Sequence, residues 1–285
     1  MSLNRTMEIP HTPTTPIATD AHAVLTTLLA QQGPCAISDI GAGRPILVLH
    51  GGGGPATVLG LSQQLAAKAR VLLPTHPGFE GTARPAHLAS VPALASVYVK
   101  LLEALDLKDV IVIGSSIGGW TAAEMALLDA GQRIHGLVLM NAVGIQVPGQ
   151  PVTDVSVLSR PELIRLANHN PERILALAPP PTPERLANLA SNAAALAAYD
   201  NGALMMAPGL LERLADATTP AMVLWGESDG IASTAYGKAY AAAFAHGRFE
   251  PIAEAGHLPH IEQPARVLQH IEHFLQNIPV VAIRQ

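Results

Sequence analysis

Val110-Ile111-Val112-Ile113 runs directly into Gly114-Ser115-Ser116-Ile117-Gly118, and an alanine-rich stretch from Trp120 to Asp129 follows. The apolar run is that of a short strand buried on both faces, and the stretch after it is helical. Gly-x-Ser-x-Gly between the two marks a sharp strand-to-helix turn, where small residues on both sides let the backbone close. Such a turn lifts a serine hydroxyl out of the sheet. The glycine frame also chooses between the adjacent serines. Ser115 would need glycine at position 113, which is Ile113, so Ser116 is the candidate nucleophile.

The same strand–helix alternation extends outward on both sides. Upstream lie the strand Ile46-Leu47-Val48-Leu49, four glycines from Gly51 to Gly54, and a helical stretch from Val58 to Lys68. Val71-Leu72-Leu73 then leads to the turn His76-Pro77-Gly78, and Leu94 to Leu105 has helical spacing. Downstream, Leu137-Val138-Leu139-Met140 is the next strand. Continuously apolar strands alternating with helices predict a mostly parallel open sheet with helices on both faces, an α/β fold. Ligands in such sheets bind beyond the carboxyl ends of the strands, where Ser116 and the four glycines fall.

The alternation stops after Ile145. Residues 146–219 show no convincing strand but three helix starts: Ser159 before Pro161-Glu162, Asn170 before Pro171-Glu172, and Thr182 before Pro183-Glu184. A capping side chain, a proline in the first turn and an acid near the positive helix end form an N-terminal signal. The expected organisation is an irregular arm over 1–20, a core over 21–145 and 220–285, and an inserted helical lid over 146–219. Strands resume at Ala221 to Trp225 and from Phe249 to Ile252, and a last helix covers Pro264 to Gln276.

Composition bounds the function. Of 285 residues, 49% are hydrophobic and 14% charged, with a formal net charge of −5, so no basic footprint for nucleic acid exists. The single Cys35 rules out an internal disulfide and leaves no thiolate pair for zinc. No run reaches the roughly 18 apolar residues of a membrane helix, and the Thr/Pro-rich start lacks the apolar core of a signal peptide. These features predict a cytoplasmic protein with no membrane span. The four glycines lack the Lys-Ser/Thr of a phosphate-binding loop, and the histidines lack metal-ligand spacing, so neither a cofactor nor a metal is expected.

A serine hydroxyl needs a base, the base needs an orienting acid, and the developing oxyanion needs donors. His257, in Ala255-Gly256-His257-Leu258-Pro259, follows one downstream strand. Asp229, in Trp225-Gly226-Glu227-Ser228-Asp229-Gly230, follows another. Glu227 is a rival acid and His260 a rival base. Backbone N–H groups near Gly52 and at Ile117 could serve as oxyanion donors. With His50-Gly51-Gly52-Gly53, the turn Pro74 to Gly81, the elbow Gly114 to Gly119, Trp225 to Asp229 and Gly256 to His260 in this order, the chain resembles the α/β-hydrolase superfamily from about Gly33 to Gln276. The resemblance implies Ser116 as nucleophile, Asp229 as acid, His257 as base, and Gly52 and Ile117 as the oxyanion hole. It also implies that the inserted helices shape substrate access. Asn141 stands where some relatives carry the acid, a task an amide cannot perform.

On these residues the expected activity is cofactor-free hydrolysis of a small, largely apolar carboxylic ester or related acyl compound through an acyl-enzyme on Ser116. A serine at the elbow disfavours the branches of the superfamily that use aspartate there. The alternatives are carbon–carbon bond hydrolysis of a vinylogous diketone, which many such enzymes mark with Trp where Leu258 stands, a perhydrolase, and a ligand receptor that signals through its lid. The lid cations Arg160, Arg165 and Arg173 read as solvated, with the option of meeting an anionic substrate group. Substrate identity and oligomeric state carry no sequence signal.

Overall fold

A computed structural model describes residues 20–29, 36–177 and 182–278. Residues 1–19 of the expected arm and Cys35 lie outside them. Seven strands form one sheet in the order β1-β3-β2-β4-β5-β6-β7, with β1 antiparallel to β3 and every other pair parallel. The strands are β1 (Ile37–Gly41), β2 (Pro45–Leu49), β3 (Arg70–Pro74), β4 (Val110–Ser115), β5 (Ile134–Met140), β6 (Ala221–Gly226) and β7 (Gly247–Ile252). The helices are α1 (Ala21–Leu28), α2 (Ala56–Leu65), α3 (Val91–Ala104), α4 (Ile117–Asp129), α5 (Arg160–Ala167), α6 (Pro171–Leu177), α7 (Pro183–Asp200), α8 (Leu210–Arg213), α9 (Thr234–Ala243), α10 (Pro259–Glu262) and α11 (Pro264–Asn277).

The central strands bury both faces because their residues are apolar at every position. Leu47, Leu49, Val112, Leu137 and Leu139 join the layer with α3 and α4, while Ile46, Val48, Ile111, Ile113 and Val138 join the layer with α2 and α11. At roughly 25 cal/mol per Å² of apolar surface removed from water, this two-sided burial is the dominant favourable contribution to the fold. The predicted strands from β2 to β7 all appear. β1 does not follow from the pattern: Ile37-Ser38-Asp39-Ile40-Gly41 is a polar, half-exposed edge strand held antiparallel to β3. An edge strand needs no second buried face, so it lacks the continuous apolar run that marks the others.

Between β5 and β6 the described residues include the helices α5 to α8, and the three capping signals stand at the starts of α5, α6 and α7. Ser159 and Glu162 form a reciprocal capping box on α5, Asn170 Oδ1 accepts from Arg173 N at 3.0 Å, and Thr182 caps α7. No helix among the described residues is long and apolar enough to cross a membrane.

Candidate active site

Four strand ends converge on Ser116. The residue sits between β4 and α4 with φ 55° and ψ −119°, a conformation few L-residues adopt. The flanking glycines are needed for contact as well as for the turn. A Cβ at Gly114 would run into the carbonyl of Gly118, and a Cβ at Gly118 into that of Leu49. Removing both side chains lets β4, α4 and β2 close around the turn and hold Ser116 outward.

His257, beyond β7, places Nε2 3.0 Å from Ser116 Oγ. Its Nδ1 lies 2.9 Å from Asp229 Oδ2, beyond β6. The carboxylate is saturated on both oxygens. Oδ2 also accepts from Asn141 Nδ2 at 2.7 Å, and Oδ1 accepts from the N–H of Ile231 at 2.7 Å and of Ala232 at 3.3 Å. Burial works to raise the Asp229 pKa, but the charge and hydrogen bond of His257 and the donors Asn141 and Ile231 outweigh it and hold the carboxyl below its ordinary value. Asp229 is thus ionised, and His257 Nδ1 carries the proton between them.

The rival residues face elsewhere. Glu227, two residues before Asp229, is exposed. His260 is buried, and its Nε2 donates to the Thr57 carbonyl at 3.1 Å. Ser115 is fully buried, and its hydroxyl finds no partner among the described residues. Asn141 lies beyond β5, beside the carboxylate of Asp229. It is fully buried, donates to Asp229, and accepts from the Gly226 N–H at 3.2 Å.

The glycine-rich loop closes the fourth side. A Cβ at Gly51 would fall 3.2 Å from Ser116 Cβ, so this loop lies against the serine. Gly52 follows, and a Cβ there would meet Leu196 Cδ2 of α7 at 2.9 Å. Ile117 is the first residue of α4, where a helix leaves N–H groups without an internal partner. Neither the Gly52 nor the Ile117 N–H donates to another backbone group among the described residues.

Beneath the loop lies a buried histidine pair. His76 N donates to His50 Nε2 at 2.9 Å, so His50 Nδ1 carries the proton and donates to the Gly51 carbonyl at 2.8 Å. His76 Nε2 in turn donates to the His50 carbonyl at 3.0 Å, and the Tyr98 hydroxyl, 2.6 Å from His76 Nδ1, supplies its proton there. Burial pushes His50 down to about 4 and, with the neighbouring His50, holds His76 well below the usual range. Both rings are neutral brackets that fix the loop without placing charge under it. Their sequence signal was only the histidine at the end of each strand, β2 and β3. Among the described residues no group of three or more His, Cys, Asp or Glu could hold a metal ion.

Comparison with known proteins gives a consistent picture. Residues 46–270 match the alpha/beta hydrolase family. The chain is 26% identical over 266 residues to the 2-hydroxymuconate semialdehyde hydrolase of Pseudomonas sp. strain CF600, covering 87% of this chain and 92% of that one. Among solved structures it resembles a thermophilic esterase from Thermogutta terrifontis, with TM-score 0.64 and 25% identity over 86% of this chain and 93% of the other. It also shares the fold of the meta-cleavage product hydrolase from Pseudomonas fluorescens IP01, with TM-score 0.68 and 19% identity over 87% and 96%.

Proposed function

From its membership of the alpha/beta hydrolase family, we propose that this chain is a serine hydrolase acting on a small, largely apolar carboxylic ester through an acyl-enzyme on Ser116. The observation that carries the reading is the unbroken line Ser116 Oγ, His257 Nε2, His257 Nδ1, Asp229 Oδ2, with contacts of 3.0 and 2.9 Å. Ser116 Oγ attacks the substrate carbonyl carbon as His257 Nε2 takes its proton. The carbonyl π electrons move onto oxygen, where the N–H groups of Gly52 and Ile117 receive the charge. Collapse breaks the ester C–O bond, and the imidazolium returns its proton to the leaving alcohol. Water, deprotonated by the same nitrogen, then attacks the acyl carbon and releases the acid and free Ser116. Asp229 keeps the imidazole in the required tautomer and stabilises its charged form.

The likeness to an esterase at 25% identity supports an ester substrate. The side chain of Leu196 against Gly52, with Met205 and Met206 later in the helical insert, supports an apolar and adaptable enclosure. A second reading, hydrolysis of the carbon–carbon bond of a vinylogous diketone, is favoured by the relative of 26% identity named a 2-hydroxymuconate semialdehyde hydrolase. Leu258 after the base stands against it, because many of those enzymes have Trp there.

Both readings are tested together by turnover of p-nitrophenyl esters of graded acyl length and of a 2-hydroxy-6-oxo-dienoic acid. Short esters should be the better substrates, and Ser116→Ala should abolish turnover and labelling by a fluorophosphonate. Labelling that survives Ser116→Ala overturns the nucleophile. Preference for the dienoate replaces the first reading by the second.

A further inference from the structure

The loops that carry Asp229 and His257 are fastened to the end of one inserted helix. α5 finishes at Ala167, and its last carbonyls have no partner within the helix. Leu166 O accepts from the Gly230 N–H at 2.9 Å, next to Asp229, and Ala167 O accepts from the N–H of His257 itself at 2.7 Å. The connection that follows continues the pattern. His169 Nδ1 shares a hydrogen bond of 2.7 Å with Ser228 Oγ in the acid loop. The fit is tight: a Cβ at Gly256 would run into the Ala167 carbonyl, and one at Gly230 would come within 2.8 Å of Leu166 O.

One carboxylate gathers this junction. Glu262, the last residue of α10, is half-buried. Its Oε2 accepts from the Gly256 N–H at 2.7 Å and from the His169 N–H at 3.1 Å, and its Oε1 accepts from the Asn170 N–H at 3.1 Å. Three backbone donors from two separate segments meet one anion. Hydrogen bonds to an ionised acceptor are about twice as strong as neutral ones, so Glu262 adds a charge-assisted tie between the insert and the base loop beside the direct bond from the His257 N–H to the Ala167 carbonyl.

We propose that Glu262 is a positioning residue for His257: by binding Gly256, His169 and Asn170 at once, it lets the end of the inserted helix α5 set the aim of the imidazole. The proposal rests on the serine-hydrolase reading for its consequence in rate. Its geometry makes a separate claim about the His257–Asp229 hydrogen bond. On this side the insert is part of the frame that holds His257.

The test uses the full chain with Glu262→Gln and Glu262→Ala. Gln keeps one acceptor for Gly256 but turns an amide toward another N–H, and Ala leaves all three donors unmet. On the ester that the wild type turns over best, kcat should fall by roughly 10- to 100-fold, more in Ala than in Gln, with KM little changed. The low-field proton resonance of His257 Nδ1–H should shift or broaden in both variants, while circular dichroism shows them folded. If Glu262→Ala does not fold, Glu262→Gln carries both readouts. An unchanged kcat with an unchanged resonance overturns the proposal, as does a rise in KM alone, which would make Glu262 a holder of the substrate enclosure only. If wild-type turnover survives Ser116→Ala, the serine-hydrolase reading falls, and the resonance comparison still decides the role of Glu262.

Discussion

Asp229 shows how much chemistry one carboxylate can be assigned. Each of its oxygens meets two donors: His257 and Asn141 on Oδ2, and the N–H groups of Ile231 and Ala232 on Oδ1. Asp229→Asn keeps the shape but reverses this logic. The new amide must either put its NH₂ on the Oδ2 side, against the Asn141 NH₂ and a His257 forced into the wrong tautomer, or turn it toward the N–H groups of Ile231 and Ala232, which then lose their acceptor. kcat should fall by roughly 10⁴-fold with the fold retained. Steady-state rates beside a circular dichroism spectrum check it, and full activity in the variant would remove Asp229 from the reaction. At this scale the sequence was partly legible. The glycine frame favours Ser116 over Ser115, strand ends bring forward His257 and Asp229, and the resemblance to the α/β-hydrolases prefers these two to His260 and Glu227. Asn141 could not be read as an orienting group, because its contact with Asp229 spans 88 residues and leaves no local pattern. Glu262 was hidden in the same way, since backbone donors carry no residue identity.

Among the elements, α7 is the one that lies against the glycine-rich loop. It is tied to the turn after β3 by polar bonds to backbone. Ser191 Oγ donates to the Gly78 carbonyl at 2.9 Å, Asn192 Oδ1 accepts from the Glu80 N–H at 2.8 Å, and the Tyr199 hydroxyl donates to the Pro77 carbonyl at 3.0 Å. Asn192 Nδ2 also donates to the Glu80 carboxylate at 2.7 Å. So held, the helix puts Leu196 against Gly52, one of the two proposed oxyanion donors. Leu196→Ala should open space above the acyl carbon. Relative kcat/KM for a butyrate or hexanoate ester over an acetate should rise by about tenfold, the scale of one to two methylenes in an apolar pocket. An unchanged acyl-length profile would place the acyl chain away from α7. The start of α7 was readable from Thr182-Pro183-Glu184, because capping is local chemistry. Its docking was not, because Ser191 and Asn192 on a helix surface look the same whether they meet water or a distant loop. The antiparallel β1 escaped for the converse reason: pairing with β3 specifies it, and its own residues hardly do.

For the whole molecule, the buried histidines couple the glycine-rich loop and the base loop to pH. Burial pushes His50 and His260 down to about 4 and His76 well below its ordinary value. In the unfolded chain all three take up a proton near pH 6.5. Between that pH and about 4 the unfolded state therefore binds more protons than the folded one, so stability falls as pH falls across this window. A shift from 6.5 to about 4 corresponds to on the order of 3 kcal/mol for His50 and again for His260. Asp229 adds its own loss lower down, since its depressed pKa stabilises the fold above 3.8 and ceases to do so as the carboxyl protonates. Urea unfolding should give a free energy that varies little above pH 7. Below pH 6.5 it should drop by up to about 1.4 kcal/mol per pH unit for each histidine. His260 is the residue to change, because it lies outside the proposed reaction and, among the described residues, its ring hydrogen-bonds only to the Thr57 carbonyl, through Nε2. His260→Gln can keep that donor while removing the titrating ring, so its stability should depend on pH with a slope smaller by about one proton. A slope as steep as that of the wild type would show that His260 is protonated in the folded protein and has no part in its acid lability.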